Sequence, residues 1–113
     1  MRRGEIWTAS GGADYAGKPQ PVLIVQDDAF GETASVTVCL LTSHAIAAAL
    51  VRPPIEPTPE NGLRETSYAM ADKLTTVKRD RLGRRIGALT PAAMGVVNRA
   101  ILVFLGLAGQ TVG

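Results

Sequence analysis

The chain has 113 residues, 46% hydrophobic and 19% charged, and its net charge at pH 7 is +2. That composition is globular and excludes a disordered chain, and the length suits one domain with a small core. The near balance of charge removes overall basicity as an argument for a nucleic-acid partner, and with 4% aromatic residues the core must rely on Val, Leu, Ile and Ala.

The first expected element is a strand in "GEIWTAS" (residues 4–10), with Ile6 and Thr8 facing one way and Glu5, Trp7 and Ala9 the other. "GGADYAG" (11–17) breaks it with three glycines and reads as a loop. Residues 21–26 form a second strand, entered through Lys18-Pro19-Gln20-Pro21. After a turn in "DDAFGETA", where Asp27 and Asp28 suit capping or turn roles, "SVTVCLLT" (35–42) forms the third strand. Its Val36, Val38 and Leu40 share a face. "SHAIAAAL" (43–50) is ambiguous between loop and short helix, and "VRPPIEPTPENG" (51–62) holds four prolines, which belong on a sheet edge or in a loop. Asn61-Gly62 signals a turn. "TSYAMADKLTTV" (66–77) is a further strand, with Tyr68, Met70 and Leu74 on one face and Asp72 among them. "RDRLGRRIGAL" (79–89) reads as a turn and a short last strand. A helix follows, with Thr90 as N-cap, Pro91 in its first turn and Met94, Val97, Ile101 and Phe104 as the inward stripe. Leu102, Val103 and Leu105 make the helix apolar on most sides, so one flank should meet the sheet and the other a second copy of the chain. Short strands followed by one helix make a small barrel or curved sheet closed by a helix.

The familiar catalytic signatures are missing. His44 is the only histidine, which excludes a multi-histidine metal site within one chain, and no CxxC or phosphate-binding GxxxxGK[ST] loop occurs. The lone Cys39 rules out an internal disulfide framework, suits a reducing cytoplasm, and reads as a small core residue. Arg2 and Arg3 lead into Gly4 and Glu5 rather than an apolar stretch, so no secretory signal is expected. The run "AILVFLGLAG" is far shorter than the roughly 20 residues a bilayer requires. Ser43 and His44 are adjacent and so face apart on an extended chain, which makes them poor partners in a triad. Between Lys73 and Arg85 lie six basic residues against one acid, Asp80, a run that reads first as a solvated surface and second as a phosphate-attracting patch. What remains is a set of ordinary residues at strand ends. Lys18 and Gln20 enter the second strand, and Thr42, Ser43 and His44 leave the third. In an antiparallel pair joined by a short turn these ends are neighbours, so Gln20 should lie near Thr42.

The blocks "RRGEIWTA", "AGKPQPVLIVQDDAF", "VTVCLLTS", "MADKLTTVKRDRLGRRIGAL" and "NRAILVFLGLAG" resemble, in that order, the MazF/PemK family of toxin endoribonucleases. The resemblance runs from Arg3 to about Gly109. It implies an SH3-like β-barrel with a C-terminal helix, shared with the CcdB type, acting as a cytoplasmic homodimer with no metal or other cofactor. It implies cleavage of single-stranded RNA at short sequences, by attack of the ribose 2′-hydroxyl on the adjacent phosphate, leaving a 5′-hydroxyl end. It also implies a cognate antitoxin protein that blocks the site. Thr42 matches the family's third-strand threonine, and Gln20 stands where the family has its catalytic arginine. Tyr15, Lys18, Ser43, His44 and Lys73 are the accompanying candidates for substrate binding: Tyr15 for stacking a base, His44 as a general acid or base if it nears the phosphate, Lys73 for guiding phosphate.

The departure at Gln20 matters because an amide can hydrogen-bond a phosphate but cannot neutralise it or move a proton. Loss of one such contact costs about 10²–10³ in rate. Three explanations compete: an inactivating substitution, a cationic role taken by Lys18, and a relative that binds without cutting. The alternatives in function are a non-catalytic, CcdB-like gyrase-binding toxin and an RNA-binding barrel.

Overall fold

A computed structural model describes residues 1–10, 18–48 and 50–109. It contains β1 (Glu5–Ala9), β2 (Gln20–Ile24), β3 (Ser35–Thr42), β4 (Pro54–Ile55), β5 (Ser67–Lys78), β6 (Leu82–Ala88) and one helix, α1 (Pro91–Phe104). The six strands form one antiparallel sheet in the order β4-β5-β3-β2-β1-β6. The architecture is the expected one, mainly β with a C-terminal helix, the sheet curled into an open barrel.

Period-two alternation builds a core on each face of the sheet. Ile6, Leu23, Cys39 and Leu41 point to the side where Met94 and Val97 of α1 pack. Ala9, Val22, Ile24, Val36 and Val38 point to the other side, where Trp7, Leu40, Val77 and Leu82 cover them. Full burial of a side chain such as Leu23 stabilises the fold by about 1.5–3 kcal/mol. The helix begins as expected: Thr90 Oγ1 accepts from the Ala93 amide at 3.1 Å, with Pro91 in the first turn. Its inward stripe is shorter than expected. Met94, Val97 and Ala100 are buried and Ile101 packs against the core, but Phe104 is 48% exposed, with Leu102 and Leu105 exposed around it.

Two further expectations are corrected. The second strand starts at Gln20, where it pairs with Ala9, and ends at Ile24; beyond it the Gln26 amide donates to the Phe30 carbonyl and turns the chain. In β5, a bulge shifts the register against β3. Leu41 pairs with Ala69 but Cys39 pairs with Leu74, so five residues of β5 span two of β3. The shift reverses the alternation, and Ala69, not Tyr68 or Met70, shares the helix-side core with Leu74. Asp72 lies in the bulge and accepts two hydrogen bonds from Arg52, both at 2.9 Å. Asp27 and Asp28 take capping and turn roles: Asp27 accepts from the Ala29 amide and Asp28 from the Arg3 amide.

The segment after β4 closes the barrel. The Ala88 amide donates to the Glu60 carbonyl at 2.9 Å, so residues 58–62 cover the outer edge of β6. The approach is close enough that a Cβ on Gly62 would overlap the Ile86 carbonyl, and one on Gly87 the Asn61 backbone. Gly62 also has φ +70°, so Asn61-Gly62 is the turn its sequence signals. No helix among the described residues is long and apolar enough to cross a membrane.

Candidate active-site cleft

β2 lies between β1 and β3, and its start lies beside the end of β3. Val22 faces Leu40, and the same register carried two residues further sets Gln20 opposite Thr42. A cleft of about 320 Å³ opens at this end of the sheet. Pro19, Gln20 and Pro21 form one lip, with Ser43 beside them and Thr8 and Arg84 across β1. Residues 62–65, including Arg64 and Glu65, form the other wall, and Leu41, Leu63 and Ile86 of the core lie beneath. Apolar depth with polar groups at the rim is the usual build of a ligand site.

The candidates divide. Gln20 and Ser43 line the cleft. Thr42, the last residue of β3, does not line the cleft, although its neighbours Leu41 and Ser43 do; its hydroxyl oxygen accepts from the His44 amide at 3.1 Å, which leaves its O–H free to donate. Lys18, His44 and Lys73 are exposed and do not line the cleft. The strand begins at Gln20, so the alternation that would align Lys18 with it does not extend that far. Lys73 leaves the β5 bulge exposed, and the partner of its neighbour Asp72 is Arg52. Tyr15 lies outside the described residues.

Sequence reasoning missed Arg84, Arg64 and Glu65. Arg84 was hidden in the basic run, which the structure takes apart. Arg79 donates to the Gly31 and Thr33 carbonyls, and Arg85 to Glu5 Oε2 at 3.0 Å. Burial pushes the Glu5 carboxyl up, but hydrogen bonds from the Trp7 indole, the Arg2 amide and the Arg85 guanidinium together hold it below its usual range. The signal that singles out Arg84 is the strand order β2-β1-β6, which no local pattern carries. Burial, aided by the nearby Asp72 charge, pushes the Cys39 thiol up to about 12, which leaves it no role as a nucleophile. Among the described residues no three of His, Cys, Asp and Glu gather as metal ligands would.

A small curled antiparallel sheet, backed by one helix and opening a polar cleft at a strand mouth, defines the class: a small β-barrel with a cleft at its strand ends. Comparison with known proteins makes the class specific. Residues 2–105 match the family described as PemK-like, MazF-like toxin of type II toxin-antitoxin system. A Mycolicibacterium smegmatis protein named "Probable endoribonuclease MazF" is 53% identical over 109 residues, 96% of this chain and 100% of that one. Endoribonuclease MazF4 of Mycobacterium tuberculosis is 33% identical over 108 residues, 93% of this chain and 92% of its own. A solved structure described as an endoribonuclease in complex with its cognate antitoxin, from a mycobacterial species, superposes with a TM-score of 0.77 at 30% identity. It covers 95% of this chain and 96% of its own. The chain belongs to the PemK/MazF-like toxin family of type II toxin–antitoxin systems, whose similar members named above are endoribonucleases.

Proposed function

We propose that the 113 residues form one toxin domain that cuts single-stranded RNA at short sequences without a metal, and that Gln20 slows the reaction in this chain. The observation that supports the reading is a cleft of about 320 Å³ lined by Gln20 and Ser43, beside the end of β3 where Thr42 sits. The nucleophile is the substrate's own 2′-hydroxyl, so the protein must orient it and stabilise charge on phosphorus. The bond from O2′ to phosphorus forms and the bond to O5′ breaks. The proton lost by the 2′-hydroxyl is matched by one gained at O5′. The products are a cyclic phosphate and a 5′-hydroxyl end. Thr42 donates its hydroxyl to a phosphate oxygen, Gln20 offers an amide in place of a guanidinium, and Ser43 adds a further donor at the lip. Lys18, His44 and Lys73, exposed outside the cleft, contact flanking nucleotides, and Tyr15 stacks a base. The same reading assigns the chain a cytoplasmic homodimer and an antitoxin partner.

The test is cleavage of a mixed single-stranded RNA pool in the presence of a chelator, by the chain and by Gln20→Arg. The arginine form is expected to cut about 10²–10³ times faster and to leave 5′-hydroxyl ends. Absence of cutting by both forms would remove the ribonuclease reading.

A further inference from the structure

We propose that Arg84, on β6, supplies the phosphate-binding cation that Gln20 does not, by reaching into the cleft from the far side of β1. The substrate rests on the ribonuclease reading above; the placement of Arg84 rests on its own observations. In the order β2-β1-β6 the backbones bearing Gln20 and Arg84 lie two strands apart, about 10 Å. Both residues line the same cleft, so a phosphate between them meets a short amide from one side and a long guanidinium from the other.

Four of the other arginines are committed elsewhere in the fold. Arg3 donates to the Val25 carbonyl and to Asn98, Arg52 to Asp72, Arg79 to two carbonyls and Arg85 to Glu5. Arg64 does line the cleft, but it lies on the 62–66 loop beside Glu65. Arg84 is mounted on a strand. Its amide donates to Thr8 Oγ1 at 3.1 Å, and Gly83 approaches so closely that a Cβ there would stand 2.5 Å from the same oxygen. Its guanidinium has no hydrogen-bond or ion-pair partner among the described residues. A rigid mount and an unpaired cation are what a phosphate contact requires. Two arginines against one carboxylate leave the cleft with a charge of +1. Arg84 keeps its proton throughout and acts through charge and paired N–H donors on the non-bridging oxygens.

The test has two readouts. One is metal-free cleavage of the RNA pool by the parent chain, Arg84→Ala, Arg84→Lys, Arg85→Ala and the double variant Gln20→Arg/Arg84→Ala. The other is binding of a fully 2′-O-methylated oligonucleotide, which cannot be cut, as a function of salt. Arg84→Ala is expected to lose about 10²-fold in cleavage, with partial return in Arg84→Lys and recovery in the double variant. Its slope of log affinity against log salt should fall by about 0.7, one phosphate contact on a single strand. Arg85→Ala should leave both readouts at the parent's values, and the melting temperature of Arg84→Ala should match the parent's. An Arg84→Ala variant that keeps the parent's salt slope, or loses no more cleavage than Arg85→Ala, overturns the proposal while the ribonuclease reading stands. If neither the parent nor Gln20→Arg cuts the pool, the ribonuclease reading fails and the salt slope alone decides: its loss supports the Arg84 contact, its persistence overturns it.

Discussion

Asp72 and Arg52 form a two-pronged ion pair whose side chains are 26% and 13% exposed. The hydrogen bonds from Arg52 hold the Asp72 carboxyl below the usual carboxylate range. A carboxylate with a lowered folded pKa adds stability above its unfolded pKa, near 4, and that stability is lost as pH falls through the folded value. Glu5, held low by its own partners, acts in the same direction. The chain should therefore lose stability in acid, and Asp72→Ala should flatten that loss. Urea unfolding at a series of pH values checks this: the variant is expected to be about 1–3 kcal/mol weaker at neutral pH, with the gap closing below pH 4. Cys39 makes a second prediction at this scale. With its thiol buried and pushed up to about 12, it should resist a thiol reagent at pH 8 in the folded chain and react at once in denaturant.

At the scale of elements, barrel closure depends on two glycines. Gly62→Ala meets both a strained φ and the Ile86 carbonyl, and Gly87→Ala meets the Asn61 backbone. Each is expected to cost about 1–3 kcal/mol. In a domain of this size that lowers the melting temperature by about 4–8 °C per kcal/mol. A melt at the parent's temperature would show that residues 58–62 do not press on β6. The elements themselves were largely legible. Alternation marks β3 to the residue, and the Thr90 cap with Pro91 marks the start of α1, because both are local signals. The β5 bulge was not legible, since it exists only in the register against β3. The same holds at the site. Gln20 and Thr42 follow from one hairpin, two neighbouring strands in the chain. Arg84 requires the last strand to return beside the first, which no nearby residue announces.

For the whole molecule, four of the exposed large hydrophobic residues gather at the end of α1. Leu102, Phe104, Leu105 and Leu107 are all exposed there. Clustered exposed apolar side chains suit an interaction site, and the proposed homodimer would place a second copy on it. Sedimentation at micromolar concentration is expected to give the mass of a dimer. Phe104→Ser with Leu105→Ser should shift it toward monomer without changing the melting cooperativity; a dimer that persists in the double variant puts the contact elsewhere.

The hydrogen bond from Arg84 to Thr8 joins positions 76 residues apart. Pairings of that span close late, since the chain between them must be ordered first. A ribosome adding about 5–20 residues per second needs roughly 4–15 s to travel from Thr8 to Arg84. During that time the two lips of the cleft do not yet exist on the same molecule. A nascent chain thus lacks an assembled cleft until nearly all of its sheet has been made.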